Sequence, residues 1–306
     1  MKKMLITGHK GLLGSACVRH FKGKCEIITV AGDLRDPGVP RHCMKWNKPD
    51  IVINCAAKVG GVKANRDHPV EFMLDNLRIQ SNMMESSHDY GVETFIHIAS
   101  SCMFPKDAAL PVQESSLFTG KFEDSVESYA LAKIAGWRLA KAYFEQHKDR
   151  FLTVAPSNVY GLNDSYGEQA HVIPALMRKY AEACKGGAPF EVWGVGDAVR
   201  EFIFADDVAS AIEAVINKWK TPEIVSIGTG IGTSIRDLVL TMIEVAPLEL
   251  KPAPHIVWNA SQPTGIPRKV FDVSKIKSLG WEPQTTLEDG LRLTWRDFLK
   301  GKPRGT

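Results

Sequence analysis

An α/β fold built on a doubly wound parallel sheet is predicted by three observations. Short runs of residues are apolar almost throughout, longer helical patterns alternate with them, and glycines cluster directly after the first run. Strands covered on both faces read as unbroken apolar stretches rather than as alternating ones. Alternation of strand and helix leads to a parallel sheet wrapped by helices.

The first strand is expected over residues 4–7, ending at Gly8, and the second over 26–30. A third, led in by Pro49 and Asp50, covers 51–54; others cover 95–99, 151–155 and 224–227. Helices are expected over 12–21, 69–88, 128–146, 206–218 and 234–245. Pro69 suits the first turn of its helix, where a missing N–H costs nothing. Residues 160–200 break the alternation with loops, one helix over 171–184 and a Gly/Pro turn over 186–189. Residues 242–306 read as irregular and proline-rich. The expected organisation is a dinucleotide-binding region over 1–161, joined by strand and helix material from about 201–235, and a smaller, irregular C-terminal substrate lobe within 162–306.

Composition excludes several classes. An apolar fraction of 44% and a charged fraction of 24% are those of a globular chain, not a disordered or fibrous one. The balance of 38 Lys+Arg against 35 Asp+Glu, net +3, argues against nucleic acid as a partner. The six cysteines (17, 25, 43, 55, 102 and 184) form no CxxC pair and no zinc spacing, so no metal is expected and free thiols are. Free thiols imply a reducing compartment. No apolar stretch has the length of a signal or membrane span, and the expected location is cytoplasmic, with no membrane partner.

The loop Gly8-His9-Lys10-Gly11-Leu12-Leu13-Gly14 lies between a strand and a helix. That context lets the backbone approach a pyrophosphate and turns the helix N–H groups toward it, as in a Rossmann fold. The second strand ends without an acid until Asp33, and Asp33-Leu34-Arg35-Asp36 reads as an adenine-side loop. Lys10 has the charge and reach for a 2′-phosphate, which favours NADPH over NADH.

Tyr129 and Lys133 share a helix face at i, i+4. An adjacent ammonium lowers a phenol's pKa from about 10, so Tyr129 is expected to exchange a proton with a sugar oxygen near neutrality. Ser100 follows the fourth strand, at the sheet edge where ligands of open parallel sheets bind.

This Ser–Tyr–Lys order behind a glycine loop resembles the extended short-chain dehydrogenase/reductase family over nearly the whole chain. The stretches Ala56-Ala57-Lys58-Val59-Gly60-Gly61, Ser100-Ser101-Cys102-Met103-Phe104-Pro105-Lys106, Asn158-Val159-Tyr160-Gly161, His171-Val172-Ile173-Pro174-Ala175-Leu176, Arg200-Glu201-Phe202 and Pro267-Arg268-Lys269 look like its GDP-L-fucose synthase group. The resemblance implies 3,5-epimerisation of GDP-4-keto-6-deoxy-D-mannose and its reduction at C4 by NADPH. It implies Cys102 and His171 as acid and base, in an unassigned order, and Ser100, Tyr129 and Lys133 around the C4 oxygen. It places Gly8, Lys10, Gly11, Leu12, Leu13, Gly14, Asp33, Ala56, Ala57, Ile98, Ser100, Lys133, Pro156, Asn158, Val159 and His171 along the cofactor. Lys179, Trp193, Arg200 and Lys269 fall on the GDP-sugar.

The chain departs from that group in lacking arginines after the second strand, and in Phe104, Lys179 and Thr264, where Tyr, Arg and an acid are usual. A GDP-4-keto-sugar reductase for a dideoxyhexose or heptose is the alternative, and a 4-epimerase with retained NAD stands behind it. A non-enzymatic dinucleotide-binding regulator is disfavoured because Ser100, Cys102, Tyr129, Lys133 and His171 are all present. A homodimer is expected through helices 69–88 and 128–146, with Phe72, Leu77, Ile79 and Met83 able to face either a partner or the chain's own sheet.

Overall fold

The computed structural model describes residues 1–262 and 264–300. Its first half runs β1 (Lys3–Thr7), α1 (Leu12–Phe21), β2 (Glu26–Thr29), α2 (Gly38–Asn47), β3 (Ile51–Asn54), α3 (Val62–Asp67), α4 (Pro69–Asp89), β4 (Thr94–Ile98), α5 (Glu127–His147) and β5 (Phe151–Pro156). The second half runs β6 (Asn158–Tyr160), α6 (Val172–Gly186), β7 (Phe190–Trp193), β8 (Val199–Arg200), β9 (Phe202–Phe204), α7 (Ala205–Lys218), β10 (Val225–Ile227), β11 (Thr233–Ser234), α8 (Ile235–Glu244), β12 (Ile256–Asn259), α9 (Ser274–Ser278) and α10 (Leu287–Leu299).

Six strands form one parallel sheet in the order β2-β1-β3-β4-β5-β10. The chain passes from β2 across β1 to β3, so the winding reverses between β1 and β3. That reversal opens a crevice beyond the carboxyl ends of the strands. The apolar runs have a simple cause. Leu5, Val52, Phe95 and Phe151 pack on one face with Met83 and Met84 of α4 and Ala140 of α5. Their neighbours Ile6, Ile53, Ile96 and Leu152 pack on the other with Cys17 of α1 and Val208 and Ile212 of α7. With both faces covered, no position in β3, β4 or β5 is left for a polar residue to reach water. Truncating Phe95 or Phe151, both fully buried, would cost about 3–5 kcal/mol.

A separate apolar cluster gathers Tyr160, Tyr180, Phe190, Phe202, Leu238 and Trp295. It joins α6, α8 and α10 with the short strand pair β7–β12. Reading residues 242–306 as irregular misses α10. Its signals are local: the Thr286 hydroxyl caps Asp289 N at 3.1 Å, and Leu291 and Trp295 recur on one face. Gly290 leaves the space that the Tyr160 ring fills. α2 also escapes the sequence reading, because Gly38 and Pro40 look like breakers. Pro40 sits in the first turn, where it breaks no hydrogen bond, and Asp36 Oδ1 accepts Gly38 N at 2.8 Å. The other expected elements agree to within two residues at each end.

Glu201 ties the two clusters together. Its side chain is 1% exposed and accepts the N–H groups of Gly230 at 2.9 Å and Phe271 at 2.7 Å. Its carbonyl accepts Asn158 N at 3.1 Å and Asn158 Nδ2 at 2.8 Å. Burial pushes its carboxyl up, while the N–H groups work against that shift. Of the residues expected to offer subunit contacts, Phe72 and Met83 are 2% and 0% exposed and pack within this chain. Met83 packs on the sheet beside Phe95 and Phe151, and Phe72 packs on Gly60 and the Tyr129 ring. Val70, Leu74 and Leu131 are instead the exposed apolar residues of α4 and α5.

Candidate active site

The crevice is built first by main-chain fit. Thr7 ends β1; its Oγ1 donates to Asn54 Oδ1 at 2.7 Å and accepts Ala56 N at 2.9 Å. These bonds tie the carboxyl ends of β1 and β3. Gly8 follows with φ +60°, and a Cβ there would lie 2.9 Å from Ala56 N and the Cys55 carbonyl. At Gly14 a Cβ would run into the Gly8 carbonyl. Gly11 begins α1 and brings no side-chain cap, so the first-turn N–H groups at Leu12 and Leu13 stand open to an anion. A cradle that no side chain can occupy, at a helix start, fits a dinucleotide pyrophosphate.

The crevice floor carries the second group. Lys133, 4% exposed, donates from Nζ to Ile98 O at 2.8 Å. Burial lowers its ammonium to about 8, against a small opposing effect of Cys55. Its Nζ lies 5.8 Å from the Tyr129 ring centroid. Ser100 hydrogen-bonds the Tyr129 phenol, and Ser100 Oγ accepts Cys102 N at 3.3 Å. The expected lowering of Tyr129 by the ammonium is corrected: burial pushes the phenol well above its ordinary value, the nearby Cys102 adds to this, and the Ser100 bond opposes it. Lys133 directs its proton to a carbonyl, and the desolvation of the phenol prevails. Tyr129 therefore holds its proton at neutral pH.

His171 reaches the same edge by docking. Gly61 N donates to Gln169 O at 2.8 Å, and a Cβ on Gly61 would lie 2.8 Å from Ala170 O. Gly60 packs on Phe72, whose ring meets Tyr129 edge-on at 6.2 Å. His171 is the cap residue of α6 and is open to solvent on one side, while the protein around it lowers its imidazole. Ser100, Cys102, Tyr129 and Lys133 thus form one connected group, and His171 joins it through the 60–72 segment.

The cationic residues converge from separate segments. Lys179 Nζ stands 5.0 Å over the half-exposed Trp193 ring. Arg200 donates to Thr264 O at 3.1 Å, and Gly194, next to Trp193, packs on the Thr264 methyl. Lys269 is held beside Arg200 by Lys269 N to Val199 O at 3.1 Å, with its Nζ 3.4 Å from Phe104 O. Burial lowers both charges, and Arg200 lowers Lys269 further. Cys102 and Glu123 oppose the shift at Lys269. Lys269 is therefore the link between the thiol and the cations.

The remaining sequence candidates lie along the crevice rim. Ala56 and Ala57 follow β3, and Pro156, Asn158 and Val159 end β5 and open β6. The Asn158 amide is turned to Glu201. Lys10 is exposed at the loop tip. Asp33 is clasped by Arg35 Nε and Nη2 at 2.9 and 2.6 Å, which holds its carboxyl at about 2.

Residues 4–228 match the family of NAD dependent epimerases and dehydratases. The chain belongs to that family. GDP-L-fucose synthase 1 of Arabidopsis thaliana is 40% identical over 97% of this chain and 93% of its own. A GDP-6-OMe-4-keto-L-xylo-heptose reductase from C. jejuni superposes with a TM-score of 0.90 at 26% identity, covering 98% of each chain. A GDP-L-fucose synthetase from Naegleria fowleri, solved with NADP bound, gives 0.88 at 27% identity, covering 98% of this chain and 94% of that one.

Within this epimerase/dehydratase frame, one buried charge, Asp75, went unread in the sequence. Arg35 also donates to Asp75 Oδ1 at 3.2 Å, and Lys58 Nζ pairs with Asp75 Oδ2 at 3.5 Å. Asp75 is 8% exposed on α4, so its buried charge is paired from two loops. Its signal was a lone acid on the apolar face of α4, at i+3 from Phe72.

Proposed function

We propose that the chain is a bifunctional 3,5-epimerase and 4-reductase that makes GDP-L-fucose from GDP-4-keto-6-deoxy-D-mannose with NADPH. The observation that carries this reading is the connected group Ser100–Cys102–Tyr129–Lys133 beside a glycine cradle, with Lys269 linking the thiol to Arg200. The named functions of the relatives support it.

The ketone at C4 acidifies the protons on C3 and C5. One of Cys102 and His171 removes such a proton, and the electron pair moves onto the C4 oxygen. The other returns a proton to the opposite face. Ser100 and Tyr129 hydrogen-bond that oxygen and stabilise its developing charge. The glycine cradle, Lys10 and Asn158–Val159 would hold the dinucleotide, and the reduced nicotinamide supplies a hydride for C4. Tyr129, still protonated at neutrality, gives its proton to the C4 oxygen. Lys133 stabilises the phenolate left behind. Lys179, Trp193, Arg200 and Lys269 hold the GDP portion, arginine by its planar fork and lysine as a point charge.

The cofactor-side region comprises 1–161 with β10 and α7, and the substrate lobe carries the Tyr160–Trp295 cluster. A homodimer through α4 and α5 would cover Val70, Leu74 and Leu131, and sedimentation at several concentrations checks it. A cytoplasmic enzyme is consistent with the absence, among the described residues, of a helix long and apolar enough to span a membrane.

The test is incubation with the 4-keto-6-deoxymannose nucleotide in D₂O, following NADPH oxidation and deuterium at C3 and C5 by NMR. Tyr129→Phe is expected to lose oxidation and keep part of the deuterium exchange, with Ser100 left to bond the C4 oxygen, and Cys102→Ala to lose exchange. Oxidation without exchange in the unmodified protein identifies the alternative, a GDP-4-keto-sugar reductase for a heptose or dideoxyhexose. The likeness to the heptose reductase favours that reading over a 4-epimerase.

A further inference from the structure

Lys133 and Tyr129 sit on one helix, which the Lys133 bond to Ile98 O holds to the sheet from the crevice side. Beneath it lies a buried polar pair that the reaction does not use. Gln80 of α4 is 3% exposed and donates from Nε2 to Ala132 O at 2.6 Å. His97 of β4 is 0% exposed, with Nε2 at 3.4 Å from Lys133 O. A carbonyl only accepts, so His97 carries its proton on Nε2. The two donors come from different elements and meet consecutive carbonyls in the turn after Tyr129.

Gly136 makes this approach possible. A Cβ there would lie 2.6 Å from Gln80 Oε1 and from His97 Cε1 and Nε2. The glycine is in ordinary helix, so its role is space, not backbone freedom. Gln80 Oε1 and His97 Nδ1 find no protein partner, nor does Oγ1 of Thr153, which pairs with His97 in register on β5. Apolar residues of similar size would pack at this interface without leaving such groups unsatisfied. The polar pair is therefore poorly explained by stability alone, and its two donors both end on the catalytic turn. Burial and the nearby Lys133 ammonium push His97 down to about 3, so it stays a neutral donor throughout the working pH range.

We propose that Gln80 and His97 are positioning residues that fix the rotation and depth of α5, and through it the places of Tyr129 and Lys133 at the C4 oxygen. The inference deepens the proposed function and rests on it for the roles of Tyr129 and Lys133. A displacement of about 1 Å at a reacting group can cost on the order of 100-fold in rate. A loosened pin that leaves the helix in place should cost about tenfold.

The experiment compares Gln80→Met, which keeps length and removes the donor, His97→Phe, which keeps a ring and removes the donor, and His97→Gln, whose amide reaches about as far as the imidazole. Met84→Ala serves as the structural control, since Met84 lies one turn along α4 from Gln80, is fully buried with Phe95 and Phe151, and has no donor to offer an α5 carbonyl. In steady state, Gln80→Met and His97→Phe should lower kcat about tenfold with the GDP-sugar KM within about twofold. His97→Gln should restore most of kcat, and Met84→Ala should lower Tm with kcat intact. Amide hydrogen exchange over 127–137, read without substrate, should rise in the first two variants and not in Met84→Ala. Wild-type kcat together with unchanged exchange in Gln80→Met and His97→Phe overturns the proposal. So does a loss that merely tracks Tm across all four variants. An unmodified protein that oxidises no NADPH refutes the proposed function instead, and the exchange measurement then still decides whether the pair pins α5.

Discussion

The cofactor edge and the substrate lobe are built on different principles. At the glycine loop, fit is main chain against main chain: Gly8 against Cys55 and Ala56, Gly14 against Gly8. In the lobe, Lys179, Arg200 and Lys269 arrive from three segments and are held by ring contact or single carbonyl bonds. The first region admits no side chain, whereas the second tolerates exchange of one cation for another. Damage at the edge should therefore be nearly all-or-none, and damage in the lobe graded.

The largest expected effects test the edge. Gly14→Ala should abolish NADPH binding in a fluorescence titration, because the methyl meets the Gly8 carbonyl. Tyr129→Phe should lower NADPH oxidation by roughly 10²–10⁴-fold, the usual worth of a positioned acid, with cofactor affinity unchanged. An intermediate effect tests the lobe. Arg200→Lys and Lys269→Met should each weaken GDP binding by calorimetry about 10- to 100-fold, as expected for a charged hydrogen bond lost. A total loss in either would erase the contrast between the regions.

A pH dependence separates them further. Lys133 is held at about 8, so its ammonium is discharged as pH rises through that value. Measured as kcat at saturating GDP-sugar, activity that depends on the ammonium should fall above about pH 8, by about tenfold per unit at the limit, whereas discharge of the lobe's Lys269, also lowered by burial, would show in KM. Stability runs the opposite way, rising with pH where activity falls. A buried ammonium with a lowered pKa disfavours the folded state below its unfolded value of about 10.4 and is relieved as pH rises. Lys133→Met should therefore raise Tm at pH 7 while abolishing reduction.

The same contrast explains what could be read in advance. The glycine loop, the apolar strands and the Tyr129–Lys133 pair are local patterns, whose physics is complete within a few residues. Glu201, Asp75 and the Gln80–His97 pair are not, since each gains its meaning from partners 17 or more positions away. Tyr129 illustrates the limit. Its charged neighbour was legible from spacing, but the sign of its pKa shift depends on burial, which no spacing encodes. The helix α10 was hidden for a related reason, because the prolines before it drew attention from the Thr286 cap.

The smallest expected effect probes the charge balance of the lobe. Glu123 lies across from the cations: its Oε2 is 3.8 Å, and Arg200 Nη2 is 3.2 Å, from the point a Cβ on Gly265 would occupy. Ser125 Oγ holds its other oxygen at 2.7 Å. Its charge raises Arg200 and Lys269 against the lowering that burial imposes. An arriving diphosphate must share those cations with it. Glu123→Gln should therefore tighten GDP binding by about two- to fivefold, the scale of a partly screened pair. The gain should shrink as salt is added. Weaker binding in that variant would mean that Glu123 accepts a hydroxyl or N–H of the ligand. The lobe would then recognise its substrate by fixed geometry, as the glycine edge does.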